Sequence, residues 1–162
     1  MRAIRQTIAA GLTCASLTLA ACGGAAPAAA GAQTLVDPAS GTQCGGKDLK
    51  LTRDHASLVI DGHCGAVTIT GSHIELNLSQ ARSLRVEGDE VTVLNDRVGQ
   101  AVVTGRQNTL NLTQVELVQL EGDYNVVLAT RIGKVRFLGN NNALNPSSRP
   151  AVEDRGTGNK VL

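Results

Sequence analysis

From residue 54 to its last residue the chain repeats one arrangement of apolar and polar positions every 17 residues. Glycine marks the period at Gly71, Gly88, Gly105, Gly122, Gly139 and Gly156, and Asp54 holds the equivalent place one period earlier. Five positions after each leading residue stand Val59, Leu76, Val93, Leu110, Val127, Leu144 and Val161. Thirteen positions after it stand Val67, Leu84, Ala101, Val118, Val135 and Val152, with Ile69, Val86, Val103, Leu120 and Phe137 two residues further on. Alternation with a period of two is the signature of a strand with one buried face. Two such segments in each period predict coils 54–70, 71–87, 88–104, 105–121, 122–138 and 139–155, followed by a partial coil 156–162.

No coil of this length can bury its apolar face alone, so the coils must stack on one another. The expected fold class is all-β, a single-domain parallel β-helix (β-solenoid) of about seven coils, about 34 Å long at about 4.8 Å per rung. The absence of six-residue hexads favours a right-handed coil. Glycine is expected to lead each coil because a tight corner calls for positive φ, which glycine adopts cheaply. Three positions after the leading residue the column reads Ile74, Val91, Asn108, Asn125, Asn142 and Asn159. Its last four members predict a structural asparagine ladder, each amide donating to the carbonyl of the next and satisfying corner backbone groups.

A longer period is superposed on the first. Residues 76–87, LNLSQARSLRVE, match residues 110–121, LNLTQVELVQLE, so the duplicated unit is 34 residues, or two coils. Outward columns consequently alternate in type from rung to rung, as in Asp89, Arg106, Asp123 and in Gln80, Arg97, Gln114, Arg131. Like charges then stand about 10 Å apart and opposite charges meet on adjacent rungs.

The first residues read differently. Arg2 and Arg5 precede an apolar or small stretch over residues 7–21, too short for a membrane span of about 20 apolar residues and fit for a secretory signal. The ending Leu19-Ala20-Ala21-Cys22 resembles the lipobox of bacterial lipoproteins. That resemblance implies cleavage before Cys22 and its acylation, which would anchor the mature chain to a membrane. Gly23 lacks an Asp-type retention signal, which places the anchor at the periplasmic face of the outer membrane if the host is Gram-negative. Loss of residues 1–21 leaves 13 basic against 14 acidic residues, a net charge of −1. Such a chain has no basic field to hold nucleic acid. The expected organisation is a signal peptide over 1–21, a flexible Ala/Gly/Pro tether over 22–40 and the solenoid over 41–162, whose residues 41–53 form an irregular N-terminal cap coil.

Cys44 and Cys64 are the remaining cysteines of the mature chain, and in an exported protein they are expected to form a disulfide. Cys64 falls in the core column of Ala81, Val98, Val115 and Ile132, so the bond would staple the cap onto the stack. No metal or cofactor is expected. His55, His63 and His73 lie at coil starts or corners and share no period with a carboxylate or serine, so they read as exposed corner residues. Asp61, Glu75, Glu90 and Asp96 are the carboxylates that an acid/base mechanism could use.

One outward face carries more than solvated polar groups. It joins Thr92, Leu94, Thr109, Asn111, Tyr124, Val126 and Leu128, placing the only tyrosine beside exposed aliphatic side chains among amides and hydroxyls. The strand at Val161-Leu162 adds an open parallel edge that invites an end-to-end homodimer. The spaced pattern V-x-V-x-G-x-x-N-x-V, seen from Val118 to Val127 with Leu120 in place of one Val, resembles an uncharacterised bacterial family of secreted and lipid-anchored solenoid proteins. The resemblance runs over residues 54–162, departs from the pattern at Ile74 and Val91, and brings no activity with it. The function expected is that of a non-enzymatic, lipid-anchored cell-envelope protein, a structural or binding module for a protein or glycan partner. The alternative is a periplasmic glycan-active enzyme working through the surface carboxylates.

Overall fold

Residues 33–162 are described by a computed structural model; the signal segment, Cys22 and the first part of the tether lie outside the described residues. Eleven strands and no helix are present among them. Five long strands make the body: β4 (Ser57–Ile69), β5 (Glu75–Val86), β6 (Thr92–Val103), β7 (Thr109–Leu120) and β8 (Val126–Phe137). Three short ones precede them, β1 (Thr34–Val36), β2 (Thr42–Gln43) and β3 (Asp48–Leu51). Three follow, β9 (Ala143–Pro146), β10 (Ala151–Asp154) and β11 (Lys160–Val161). All pairing is parallel, and from β5 to β9 every partner lies 17 residues away, as in Leu76↔Val93, Val93↔Leu110, Leu110↔Val127 and Val127↔Leu144. The architecture is the expected parallel β-solenoid.

An odd coil length cannot be built from alternation alone. In one turn the inward residues are Leu76, Leu78, Ala81, Leu84, Val86, Gly88 and Val91, all buried. Steps of two are broken by steps of three at Leu78 to Ala81, Ala81 to Leu84 and Gly88 to Val91, and each such break turns the strand through a bend. The core is a bundle of aliphatic columns running along the stack, with Phe137 as its one large ring. A fully buried Leu such as Leu110 contributes about 1.5–3 kcal/mol through its removal from water.

The leading glycines do not have the conformation expected of them. Positive φ falls two residues later, at His55, His73, Glu90, Gln107, Tyr124 and Asn141 (φ 55 to 58°) and at Gly158 (φ 71°), and none of the leading glycines shares it. Their requirement is space. A Cβ built on Gly88, Gly105, Gly122, Gly139 or Gly156 would collide with the carbonyl oxygen of the leading glycine one rung below. The glycine column is a seam of close backbone approach.

The asparagine ladder is present, but its bonds run to the backbone more than between amides. Asn108, Asn125 and Asn142 are buried and Asn159 is partly so. Each Oδ1 accepts the N–H of the column residue one rung below, at 2.8 Å from Val91, 2.9 Å from Asn108, 2.8 Å from Asn125 and 2.9 Å from Asn142. The Nδ2 groups of Asn125, Asn142 and Asn159 donate to the carbonyls of Gly105, Gly122 and Gly139 at 2.9 to 3.0 Å. One amide-to-amide bond accompanies them, Asn142 Nδ2 to Asn159 Oδ1 at 3.2 Å. The buried Nδ2 of Asn108 has no partner.

Below Gly71 the register differs from the one expected. The coil beneath it contains an extra residue at the bulge between Ile60 and His63, where Gly62 takes a φ of 80°. Leu58 therefore pairs with Leu76 and Val59 with Asn77, so Val59 points outward and is 45% exposed while Leu58 and Ile60 enter the core. The residue beneath Gly71 is Arg53, and Asp54 belongs to the next column, where its Oδ1 accepts the Ser72 N–H at 2.8 Å. Val152 and Val161 stand in the expected columns but are exposed, since no further rung of the described residues covers them.

The stack also starts earlier than expected. Thr34–Val36, inside the stretch read as tether, pairs with Asp48–Lys50, and residues 41–53 supply β2 and β3 in register with β4. The half-buried Asp37 carboxylate accepts the Thr52 hydroxyl and the Thr52 and Arg53 amides, which holds its pKa below the ordinary aspartate value, the Thr52 hydroxyl first among the causes. Cys44 and Cys64 form the expected disulfide, Cα to Cα 5.0 Å, and both are fully buried.

Candidate binding face

The outward residues of the first segment of each coil align into two columns. One reads Glu75, Thr92, Thr109, Val126 and the other Asn77, Leu94, Asn111, Leu128, each adjacent pair directly opposed in the sheet. Pleating sends these side chains to the side away from the core, so the face stays flat along the stack. The seven residues singled out by the sequence pattern lie on it or at its border. Leu94 (44%), Tyr124 (53%) and Val126 (37%) are the exposed large apolar residues among them, while Leu128 is partly covered.

Tyr124 stands at the corner that opens its coil, in the left-handed column. A φ of 58° tips its ring outward beside the strand, and the Arg106 guanidinium lies 6.0 Å from the ring centroid, at the outer range of a cation–π contact. Asp89, Arg106 and Gln107 join Tyr124 around a shallow hollow. Farther across the face, one hollow holds Leu94 and Asp96 between Asn77 and Asn111, and a second holds Leu128 and Thr130 between Asn111 and Asn145. The second is the first displaced by the 34-residue duplicated unit.

The corner itself is held by a ladder of short acceptors. Asp54, Ser72, Asp89, Asp123 and Asn140 each accept, through a side-chain oxygen, the backbone N–H of the residue one rung above. Arg106 interrupts this series because a guanidinium has no acceptor, and it pairs instead with Asp123 at 3.8 Å. His55 and His73 stack with ring centroids 4.6 Å apart, and His73 lies 3.4 Å from Glu90. His63 is exposed beside the bulge, in the column of the bend between Leu78 and Ala81, 3.5 Å from Gln80.

The four candidate carboxylates stand in different surroundings. Asp61 is at the bulge of β4, Glu75 opens β5, Glu90 is engaged by His73 and Asp96 lines the first hollow. Asn95 is a buried polar residue that the apolar pattern does not single out. Its Nδ2 donates to the Leu78 carbonyl at 3.1 Å and its buried Oδ1 has no partner. The available signal was an amide two residues after Val93 in a column that otherwise reads Leu78, Leu112 and Ala129.

Fold and face together define a parallel β-solenoid with one flat, partly apolar sheet surface. Residues 103–158 match a family model described as Protein of unknown function (DUF3060), a narrower stretch than the 54–162 over which the pattern recurs. The match supports an uncharacterised family, and it spans Val118 to Val127, where the spaced glycine and asparagine pattern is clearest. No curated protein and no solved structure matches the chain.

Proposed function

We propose that the chain is a non-enzymatic, lipid-anchored cell-envelope module whose flat sheet face docks a protein or glycan partner. The observation that carries this reading is the grouping of exposed Leu94, Tyr124 and Val126 on one rigid face among amides and hydroxyls. Apolar anchors surrounded by polar groups are the usual make-up of a recognition surface, and a parallel sheet presents them on a backbone already ordered before binding. The anchor rests on the Leu19-Ala20-Ala21-Cys22 ending.

A photoreactive phenylalanine analogue at position 124, in cells, tests the face. The expected result is a discrete crosslinked species that is absent when the probe stands at Arg85, on another outward column. Equal labelling from both positions, or none from either, would remove the reading. Metabolic palmitate labelling tests the anchor, and label retained by Cys22→Ser would refute it.

A further inference from the structure

A second recessed surface lies away from the Tyr124 face, at the bend where the core takes one residue between two steps of three. That core column is Cys64, Ala81, Val98, Val115 and Ile132. The outward column on one side reads His63, Gln80, Arg97, Gln114, Arg131. The column on the other side alternates glycine with charge: Gly65, Arg82, Gly99, Glu116, Gly133. Gly99 leaves a gap between Arg82 and Glu116, and the gap opens into a groove of about 260 Å³ lined by His63, Gln80, Arg82, Arg97, Gln114 and Glu116. Gly99 and the edges of the buried Ala81 and Val98 complete its lining. The gap is fixed by the backbone, because a Cβ on Gly99 would come to 2.7 Å from the Arg82 carbonyl oxygen.

The charges in this groove are unequally occupied. Arg82 is 3.5 Å from Asp48, whereas Arg97 has no carboxylate within ion-pair distance among the described residues. A guanidinium in a recess, flanked one rung above and one below by glutamine amides, is arranged to hold a planar anion bidentately. Glu116 limits what that anion can belong to. It repels a second acid close by and accepts hydroxyl donors, and Gln80 and Gln114 both donate and accept.

We propose that the groove binds a carboxylate-bearing saccharide of the uronic-acid type. Arg97 holds the sugar carboxylate, Gln80, Gln114 and Glu116 take its hydroxyls, and the ring lies across the gap at Gly99. An acidic peptide fits less well, since its successive carboxylates would meet Glu116. The site is independent of the Tyr124 face and stands whether that face docks a protein, a glycan or neither. The related notch at Gly133 has Pro150 where Gly99 has Glu116, in line with the Ala151–Lys134 pairing, and the nearby Ser148 hydroxyl is committed to Ile132 at 2.9 and 3.2 Å. Arg131 is therefore an internal control.

The test is calorimetric titration of the purified full chain with methyl galacturonoside, which carries a single carboxylate, its methyl ester and triglutamate, alongside amide NMR of Gly99. The galacturonoside is expected to bind and to shift the Gly99 amide, and both the methyl ester and the Arg97→Gln variant are expected to bind about tenfold more weakly or less. Arg131→Gln should bind as the parent does. An unchanged far-ultraviolet dichroism spectrum would show that Arg97→Gln retains the fold, and the ester comparison on the parent chain needs no variant. Absence of galacturonoside binding, equal binding of acid and ester, equal losses in the two arginine variants, or triglutamate binding as tight as the saccharide would each overturn the proposal.

Discussion

Asn108 and Asn125 occupy the same buried column on adjacent rungs, yet their replacement by valine should have very different effects. Valine is tolerated there sterically, since Val91 holds the column one rung below Asn108 and is fully buried. Removing the Asn125 side chain strands two buried groups, the Asn108 N–H bound at 2.9 Å and the Gly105 carbonyl bound at 3.0 Å. At about 1–3 kcal/mol for each buried group left unsatisfied, Asn125→Val should destabilise by about 2–6 kcal/mol. Removing Asn108 strands one group, the Val91 N–H, and at the same time deletes an Nδ2 that already has no partner. Those two effects are of the same size and opposite sign, so Asn108→Val should change stability by about 1 kcal/mol or less. The apolar gain and the change in side-chain entropy are common to both substitutions and cancel in the comparison. Urea unfolding followed by far-ultraviolet dichroism, with both variants measured against the parent, reads the difference. Equal losses within about 0.5 kcal/mol, or a larger loss at Asn108, would refute the claim that the ladder works through rung-to-rung backbone bonds.

Gly105→Ala should destabilise strongly because its methyl meets the Gly88 carbonyl, whereas Gln107→Gly should be neutral or stabilising by about 1 kcal/mol, since Gln107 bears the left-handed strain at φ 57°; thermal melts should show a large loss for the first and none for the second, and a comparable loss in both would refute the assignment of seam and strain. Cys44→Ala/Cys64→Ala should lose about 3 kcal/mol, from a closed loop with a sequence separation of 20, and labelling of Cys44 and Cys64, read by peptide mass, should appear only after denaturation with reductant; their labelling in the folded, reductant-treated chain would show the bond to be accessible. The lowered Asp37 pKa stabilises the stack above the ordinary aspartate range, and this contribution is lost as pH falls through the folded value. Protection of the β1 amides, taken relative to the intrinsic exchange rate at each pH, should therefore fall on acidification below the ordinary aspartate range in the parent and less so in Asp37→Asn, which tolerates the φ of 43°; the same acid response in both would exclude Asp37 as the cause.

The period of the stack was legible because burial imposes it directly on side-chain type. Leu76, Val93, Leu110, Val127 and Leu144 announce one column and Val67, Leu84, Ala101, Val118 and Val135 another, and all of them are buried. Parity was lost where the pattern carries none. In Leu58-Val59-Ile60 three apolar residues in a row leave both registers open, and the bulge at Gly62 chooses the one that turns Val59 outward. The glycine column showed where backbones crowd but not the reason, because crowding and positive φ select the same residue. Positive φ here is borne by His73, Glu90, Gln107 and Tyr124, whose variety conceals it. The candidate face was legible as columns, since outward positions follow from inward ones. The groove at Gly99 was not, because it depends on a missing side chain between Arg82 and Glu116 whose neighbours lie a whole coil away in sequence.

A column of near-identical turns also faces an ambiguity of counting. Because Leu76, Asn77, Leu78, Gln80 and Glu87 recur as Leu110, Asn111, Leu112, Gln114 and Glu121 and the other apolar columns keep their type, a growing stack displaced by two rungs would meet many of the same contacts as the correct one. The extra residue at Gly62 and the bond between Cys44 and Cys64 are features that no other turn can imitate. They give the ruler its zero mark: once that turn is closed, each later strand has one edge on which to add, and the order of assembly becomes the order of the sequence.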